Sequence, residues 1–135
     1  MEVEQLELNI QLTKNSRLTQ IDWENLPFGK IFSDHMFCME YENGQWVNQE
    51  IIPYENISLS PATSAIHYGQ SCFEGMKAHR KENGEVVLFR PYDNAKRLNN
   101  SAKRMCMPPI PEDLFVNALK QLLSVDQDWI PKNPS

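Results

Sequence analysis

The chain contains no apolar run approaching the roughly 18 residues that a membrane-crossing helix needs. Its first residues, Met1-Glu2-Val3-Glu4-Gln5, are acidic where a secretory leader would be basic and then apolar. Positive charge is in deficit. Thirteen Lys and Arg face 18 Asp and Glu, a net charge of -5, which argues against nucleic acid or an anionic membrane as the main partner. Cysteine is scarce and scattered. Cys38, Cys72 and Cys106 are odd in number and far apart, so they frame neither a zinc site nor a disulfide scaffold, and a reducing, cytoplasmic setting is expected. The triplets Asn56-Ile57-Ser58 and Asn99-Asn100-Ser101 match the glycosylation pattern, but without an export signal both read as chance. A P-loop, a G-x-G-x-x-G and a G-x-S-x-G are all missing, and there is no internal repeat.

What remains is ordinary globular composition, 41% apolar and 23% charged over 135 residues, enough for one domain with its own core. Leu6, Leu8, Ile10 and Leu12 alternate with polar residues, the pattern of a half-buried strand. Residues 13–27 are polar, include Trp23 and read as loop. Phe28-Gly29-Lys30 reads as a bend. Asn43-Gly44 lies between strand-like runs at 35–42 and 45–52, a strong hairpin signal because a type I′ turn needs positive φ at both central residues. A short strand is expected at 57–60, and a single helical turn near 61–68 with Thr63 or Ser64 as cap. A second hairpin is expected from strands at 73–80 and 86–89 around Glu82-Asn83-Gly84. Then the chemistry changes. Pro91-Tyr92-Asp93 opens a helix whose stripe is Ala95, Leu98, Ala102 and Met105, and Pro108-Pro109 stops it. Pro111-Glu112-Asp113 opens another, with Leu114, Phe115, Ala118, Leu119, Leu122 and Val125 as its buried face. Strands followed by helices predict an α+β fold: a mainly antiparallel sheet built from hairpins and covered by two C-terminal helices.

The stretch His67-Tyr68-Gly69-Gln70-Ser71-Cys72-Phe73-Glu74-Gly75-Met76-Lys77-Ala78-His79-Arg80 is the centre of interest. Glycines flanking Phe73-Glu74 suggest a bend, then a place where something lies close to the main chain. On residue types alone, Tyr68 and Phe73 are core aromatics. Arg97 near a helix start would suit a phosphate, since unpaired N–H groups and the dipole favour anions there, although a basic residue on a helix is usually solvated surface. Lys103 and Arg104, further along, face water. His35, His67 and His79 lack neighbouring ligands and read as packed or surface histidines. Glu40 and Glu42 share one strand face, which by itself does not make an acid–base pair.

Several segments taken together go further. Phe28-Gly29-Lys30 with Ser33-Asp34-His35-Met36, Ser60-Pro61-Ala62 with His67-Tyr68-Gly69, Phe73-Glu74-Gly75-Met76-Lys77-Ala78, Phe89-Arg90-Pro91 with Arg97, and Asp126-Gln127-Asp128-Trp129-Ile130-Pro131 occur in family order. Over about residues 20 to 135 the chain resembles the N-terminal, small domain of a branched-chain amino-acid aminotransferase. This is a fold-type IV pyridoxal-phosphate enzyme, and the long subgroup with the animal and fungal members is the better likeness. The resemblance implies an amino-group exchange between leucine, isoleucine or valine and 2-oxoglutarate, with pyridoxal 5'-phosphate as carrier and electron sink. It implies that Arg97 holds the cofactor phosphate. It also implies that Phe28, Tyr68 and Phe73, with Gly75 and Lys77, border the substrate pocket, an apolar lining suiting branched aliphatic chains.

By the same resemblance the parent is a homodimer in which Tyr68 reaches the neighbouring subunit. Residues 1–20 would be an extension with a possible strand, 21–130 the small domain, and 131–135 the start of a linker to the large C-terminal domain. The family's Schiff-base lysine lies in that large domain, so these residues alone are expected neither to hold the cofactor nor to transaminate. Two other readings stay open: a stand-alone interaction module of the same fold, and a relative of the D-amino-acid aminotransferases or aminodeoxychorismate lyases.

Overall fold

The computed structural model describes residues 8–132. Among them, strands precede the main helices, and the class is α+β with antiparallel hairpins. The chain divides into two compact units. One is built from residues up to Tyr54 and from Ala118 onward, the other from Glu55–Asn117.

The first unit is organised by the Asn43-Gly44 turn. Asn43 and Gly44 have φ of 50° and 85°, the positive pair that a type I′ turn requires. The turn joins β2 (His35–Glu42) to β3 (Gln45–Pro53) in an antiparallel ladder running from His35 opposite Pro53 to Glu42 opposite Gln45. The register slips between Cys38 and Glu40. There Asn48 takes a φ of 54° and its amide donates to Glu40 Oε2 at 2.6 Å. This is a bulge with a left-handed residue, a conformation Asn tolerates better than most. The sequence pattern gave no sign of it. β1 (Asn9–Ile10) pairs in parallel with Glu50 and Ile51 of β3.

The expected half-buried strand from Leu6 to Leu12 is thus only two residues long. Leu6 lies outside the described residues, and Ile10 and Leu12 are exposed. β1 is held by backbone bonds at a sheet edge, so its alternating side chains need not be covered. Ile51 is completely buried and, with Ile130, forms the apolar centre of this unit.

The same unit holds a buried polar network. His35 Nδ1 donates to Asp126 Oδ1 at 2.6 Å, and the His35 backbone N–H donates to Asp126 Oδ2 at 3.0 Å. The Thr13 N–H donates to His35 Nε2 at 2.9 Å. An acceptor role for Nε2 leaves the proton on Nδ1, so the two partners define one neutral tautomer. Next door, Asp34 accepts from Ser16 Oγ at 2.5 Å and from the Arg17 N–H at 3.0 Å. Burial pushes the Asp34 carboxyl upward. The Ser16, Arg17 and Trp129 hydrogen bonds and the Arg17 charge outweigh it and hold the group below its ordinary value. Arg17 also donates to the Ser33 carbonyl at 2.7 Å and lies over the Tyr54 and Trp129 rings.

In the second unit, residues 57–60 form no strand. Ile57 and Leu59 are exposed and no neighbouring ladder takes up the backbone. α1 (Ser64–His67) is the expected single turn with Thr63 as N-cap, although the Thr63 side chain makes no capping bond. The strand expected over 73–80 shrinks to β4 (Ala78–Arg80), which pairs with β5 (Val86–Leu88). Phe89 is exposed, not part of a buried strand. Gly84, at φ 86°, closes this hairpin.

α2 (Pro91–Arg104) buries Ala95 and Ala102, two of the four expected stripe residues, with Leu98 and Met105 half-buried. It ends before Pro108. Cys106 turns left-handed at φ 54°, and the Met107 N–H reaches back to the Ala102 carbonyl at 2.8 Å, a Schellman-type end in which cysteine occupies the usual glycine position. The following loop is clamped by Asn99, whose side chain both donates to and accepts from the Ile110 backbone at 2.7 and 2.8 Å. α3 (Glu112–Val125) starts where expected, but its one fully buried side chain is Val116. The expected residues Leu114, Phe115, Ala118, Leu119, Leu122 and Val125 are all half-buried, as is Leu123.

Replacing Ile51 by Ala should cost about 2–5 kcal/mol in urea unfolding, because a filled site becomes a cavity. Cys106→Gly should do the reverse and gain up to about 1 kcal/mol, since glycine accepts positive φ without the Cβ penalty. A loss of stability in that second variant would mean the Cys106 side chain holds more than the turn.

Candidate functional site

The charged centre of the second unit is a carboxylate–guanidinium fork. Asn94 and Arg97 lie three residues apart on α2, so both project from one face. They meet Glu74, which sits in the irregular stretch between α1 and β4. Arg97 Nε donates to Glu74 Oε2 at 2.7 Å, and Arg97 Nη2 donates to Glu74 Oε1. Oε1 also accepts from Asn94 Nδ2 at 3.0 Å and from the Gly75 N–H at 2.9 Å. Asn94 Nδ2 lies 3.2 Å from the Gly75 carbonyl as well. The Glu74 side chain is only 5% exposed, whereas that of Arg97 is 69% exposed.

The electrostatics follow from this geometry. The Arg97 hydrogen bonds are the largest influence on Glu74. Burial opposes them, and the Asn94 and Gly75 donors and the Arg97 charge reinforce them, so the carboxyl falls to about 2. Reciprocally, Glu74 raises Arg97 above its ordinary value. The fork uses Nε and Nη2, and no described hydrogen bond engages Nη1. A guanidinium is permanently charged and planar, so this remaining nitrogen is suited to an oxyanion such as a phosphate. The helix-start argument does not describe it. Arg97 stands two turns into α2, and the residue at the helix start is Arg90, paired with Asp93.

Tyr68 and Phe73 are 82% and 92% exposed, and in the first unit Phe28 is fully exposed. The core role expected for Tyr68 and Phe73 from residue type is therefore wrong. Both rings stand largely open to solvent, and Tyr68 meets the His67 ring edge-on at 5.0 Å. Gly69 supplies the expected bend with φ of 64°. Among the described residues, a Cβ at Gly75 would meet nothing within 4 Å. Lys77 is exposed. Of the expected site residues, the fold joins Arg97 to Gly75 through Glu74. No described hydrogen bond links Tyr68, Phe73 or Lys77 to that cluster. Glu74 and Asn94 were missed as site residues; the spacing of Asn94 and Arg97 on a helix was the available signal. Among the described residues, no group of three His, Cys, Asp or Glu is placed to hold a metal ion, and no helix is long and apolar enough to cross a membrane.

No family model matches the chain. Curated relatives do. Branched-chain-amino-acid transaminase 1 of Bacillus subtilis (strain 168) is 50% identical over 112 residues, 82% of this chain and 32% of that protein. Branched-chain-amino-acid aminotransferase 2 of the same organism is 44% identical over 125 residues, 92% of this chain and 34% of that protein. The Helicobacter pylori (strain J99 / ATCC 700824) branched-chain-amino-acid aminotransferase is 42% identical over 113 residues, 84% of this chain and 33% of that protein.

Over most of its length this chain is similar to branched-chain-amino-acid aminotransferases. It spans about a third of the length of the curated relatives it matches, which fits an N-terminal segment of such an aminotransferase. A match over 92% of the chain necessarily takes in everything between Phe28 and Arg97, so the fork and the exposed aromatics lie within the aminotransferase likeness.

The fork sets a pH dependence. Glu74 has a folded value near 2 against an ordinary value of 4.5. Its depressed value stabilises the fold fully above the unfolded value, and that contribution is lost as pH falls from about 4.5 toward 2. Thermal melts between pH 6 and pH 2.5 should show a smaller loss for Glu74→Gln than for the parent sequence. Identical slopes would mean the fork does not form in solution.

Proposed function

We propose that these residues form the small domain of a pyridoxal-phosphate-dependent branched-chain aminotransferase, which moves an amino group reversibly between leucine, isoleucine or valine and 2-oxoglutarate. The carrying observation is identity of 42–50% across most of this chain to proteins of that name. Arg97 serves as a ligand of the cofactor phosphate. Its exposed side chain and the Nη1 left out of the fork support that role, because a phosphate oxygen needs an unengaged donor. When bound, the cofactor carries the amino group and draws electrons from the substrate's α-carbon.

The other residues bind and shield. Phe28, Tyr68 and Phe73 form apolar walls of the substrate pocket, with Gly75 and Lys77 at its border. Their exposure supports this reading, since a wall must face its occupant. Burying a branched side chain against such walls yields roughly 1.5–3 kcal/mol, enough to favour leucine, isoleucine and valine over polar amino acids. The catalytic lysine comes from the C-terminal domain of the parent, the protein works as a homodimer in the cytoplasm, and neither nucleic acid nor a membrane is a partner.

Two assays test this. The parent protein should convert leucine and 2-oxoglutarate to products, while the 135 residues with added cofactor should not. A parent that ignores branched-chain substrates, or turnover by the 135 residues, overturns the assignment. In the parent, Arg97→Gln should weaken cofactor binding about tenfold to a hundredfold, the worth of a charge-assisted hydrogen bond, measured by cofactor absorbance at equilibrium.

A further inference from the structure

We infer that Glu74 is a positioning residue for Arg97, fixing its guanidinium so that Nη1 is presented to an oxyanion. This rests on the reading of Arg97 as a phosphate ligand and extends it to a group that sequence reasoning gave no role.

Glu74 is anchored without help from Arg97. Asn94 Nδ2 and the Gly75 N–H both hold Oε1, and the side chain is nearly sealed from solvent. Arg97 is the opposite case, a long side chain mostly in water that would otherwise sample many rotamers. The rigid partner therefore fixes the mobile one. A bidentate fork also sets the plane of the guanidinium, which a single contact does not. Because the fork consumes Nε and Nη2, a phosphate oxygen reaching Nη1 does not have to displace the carboxylate.

The competing role is that Glu74 masks Arg97 and must let go before an anion binds. The two roles predict opposite signs. Glu74→Gln removes a negative charge and keeps the shape. If Glu74 masks the arginine, this substitution strengthens anion binding. If it positions the arginine, binding weakens even though the site has become more positive.

The experiment uses the full 135-residue chain labelled with nitrogen-15; phosphate affinity is read in every variant from backbone amide shifts as inorganic phosphate is titrated, and where Arg97 is present its Nε–H resonance is followed as well. In the parent sequence this resonance should be resolved and slowly exchanging, and it should shift saturably. In Glu74→Gln it should merge with the solvated arginines, and phosphate affinity should fall about tenfold. Equal or tighter phosphate binding in that variant overturns the positioning role. Tyr92→Phe, which removes the 2.9 Å hydrogen bond from Tyr92, on the same helix as Arg97, to Asp113 of α3, should leave the affinity within about twofold. An equal fall there would make the Glu74 effect a general loosening and also overturn the inference. Should Glu74→Gln not fold, Arg97→Lys decides: it keeps the charge but cannot be held in a fork, so positioning predicts the same tenfold fall and masking predicts none. Arg97→Gln separates this inference from the function it rests on. A phosphate response that survives in Arg97→Gln, or is absent from the parent sequence, overturns Arg97 as the anion ligand. A response lost in Arg97→Gln but unchanged in Glu74→Gln overturns only the role of Glu74.

Discussion

The hydrogen bond between His35 and Asp126 spans 91 residues of sequence and is the constraint on which the first unit turns. It ties the first residue of β2 to the residue just past α3, and Thr13 completes it from the other side of the ring. Each polar atom of the buried imidazole has one partner, which removes the penalty of burying an unsatisfied polar group. The neighbouring Asp34 does the same for Ser16 and Arg17. Together the two side chains fix the stretch 13–17, which has no ladder of its own, by converting its free N–H groups into bonds to a histidine and a carboxylate.

The second unit relies on a different device. It has little β-structure, and its irregular stretches are held by side chains that bond backbone. Gln70 reaches the Met105 carbonyl at 2.7 Å, Asn99 clamps Ile110, and Glu74 gathers Asn94, Arg97 and the Gly75 N–H. Such contacts satisfy loop backbone that would otherwise depend on water. They also let aromatic side chains stand outward, because the loop does not need Tyr68 or Phe73 as an anchor.

Features with local causes were legible in the sequence. The Asn43-Gly44 turn, the Gly84 hairpin, the proline-led starts of α2 and α3 and the Ala95–Ala102 stripe follow from rules that need only near neighbours. What was not legible depends on partners distant in the chain. Residues 73–77 have strand-like composition, yet no strand pairs with them. Tyr68 and Phe73 are core-like by type, yet face water. His35 read as a packed or surface histidine, and its partner Asp126 carried no signal that sequence spacing reveals. Arg97 was placed by motif, whereas Glu74, one residue from a glycine in the same motif, gained meaning only when the fold brought α2 alongside it.

The fork also limits how this sequence can drift over evolution. A buried carboxylate that loses its guanidinium is left with an uncompensated charge, and an exposed arginine that loses its carboxylate loses its orientation. Either single change therefore carries a physical cost, and lysine at position 97 is no halfway step because it lacks the planar two-donor face of the fork. Positions 74 and 97 should be inherited as a unit, and Asn94 is expected to vary more freely than either, since its amide supports the carboxylate without carrying its counter-charge.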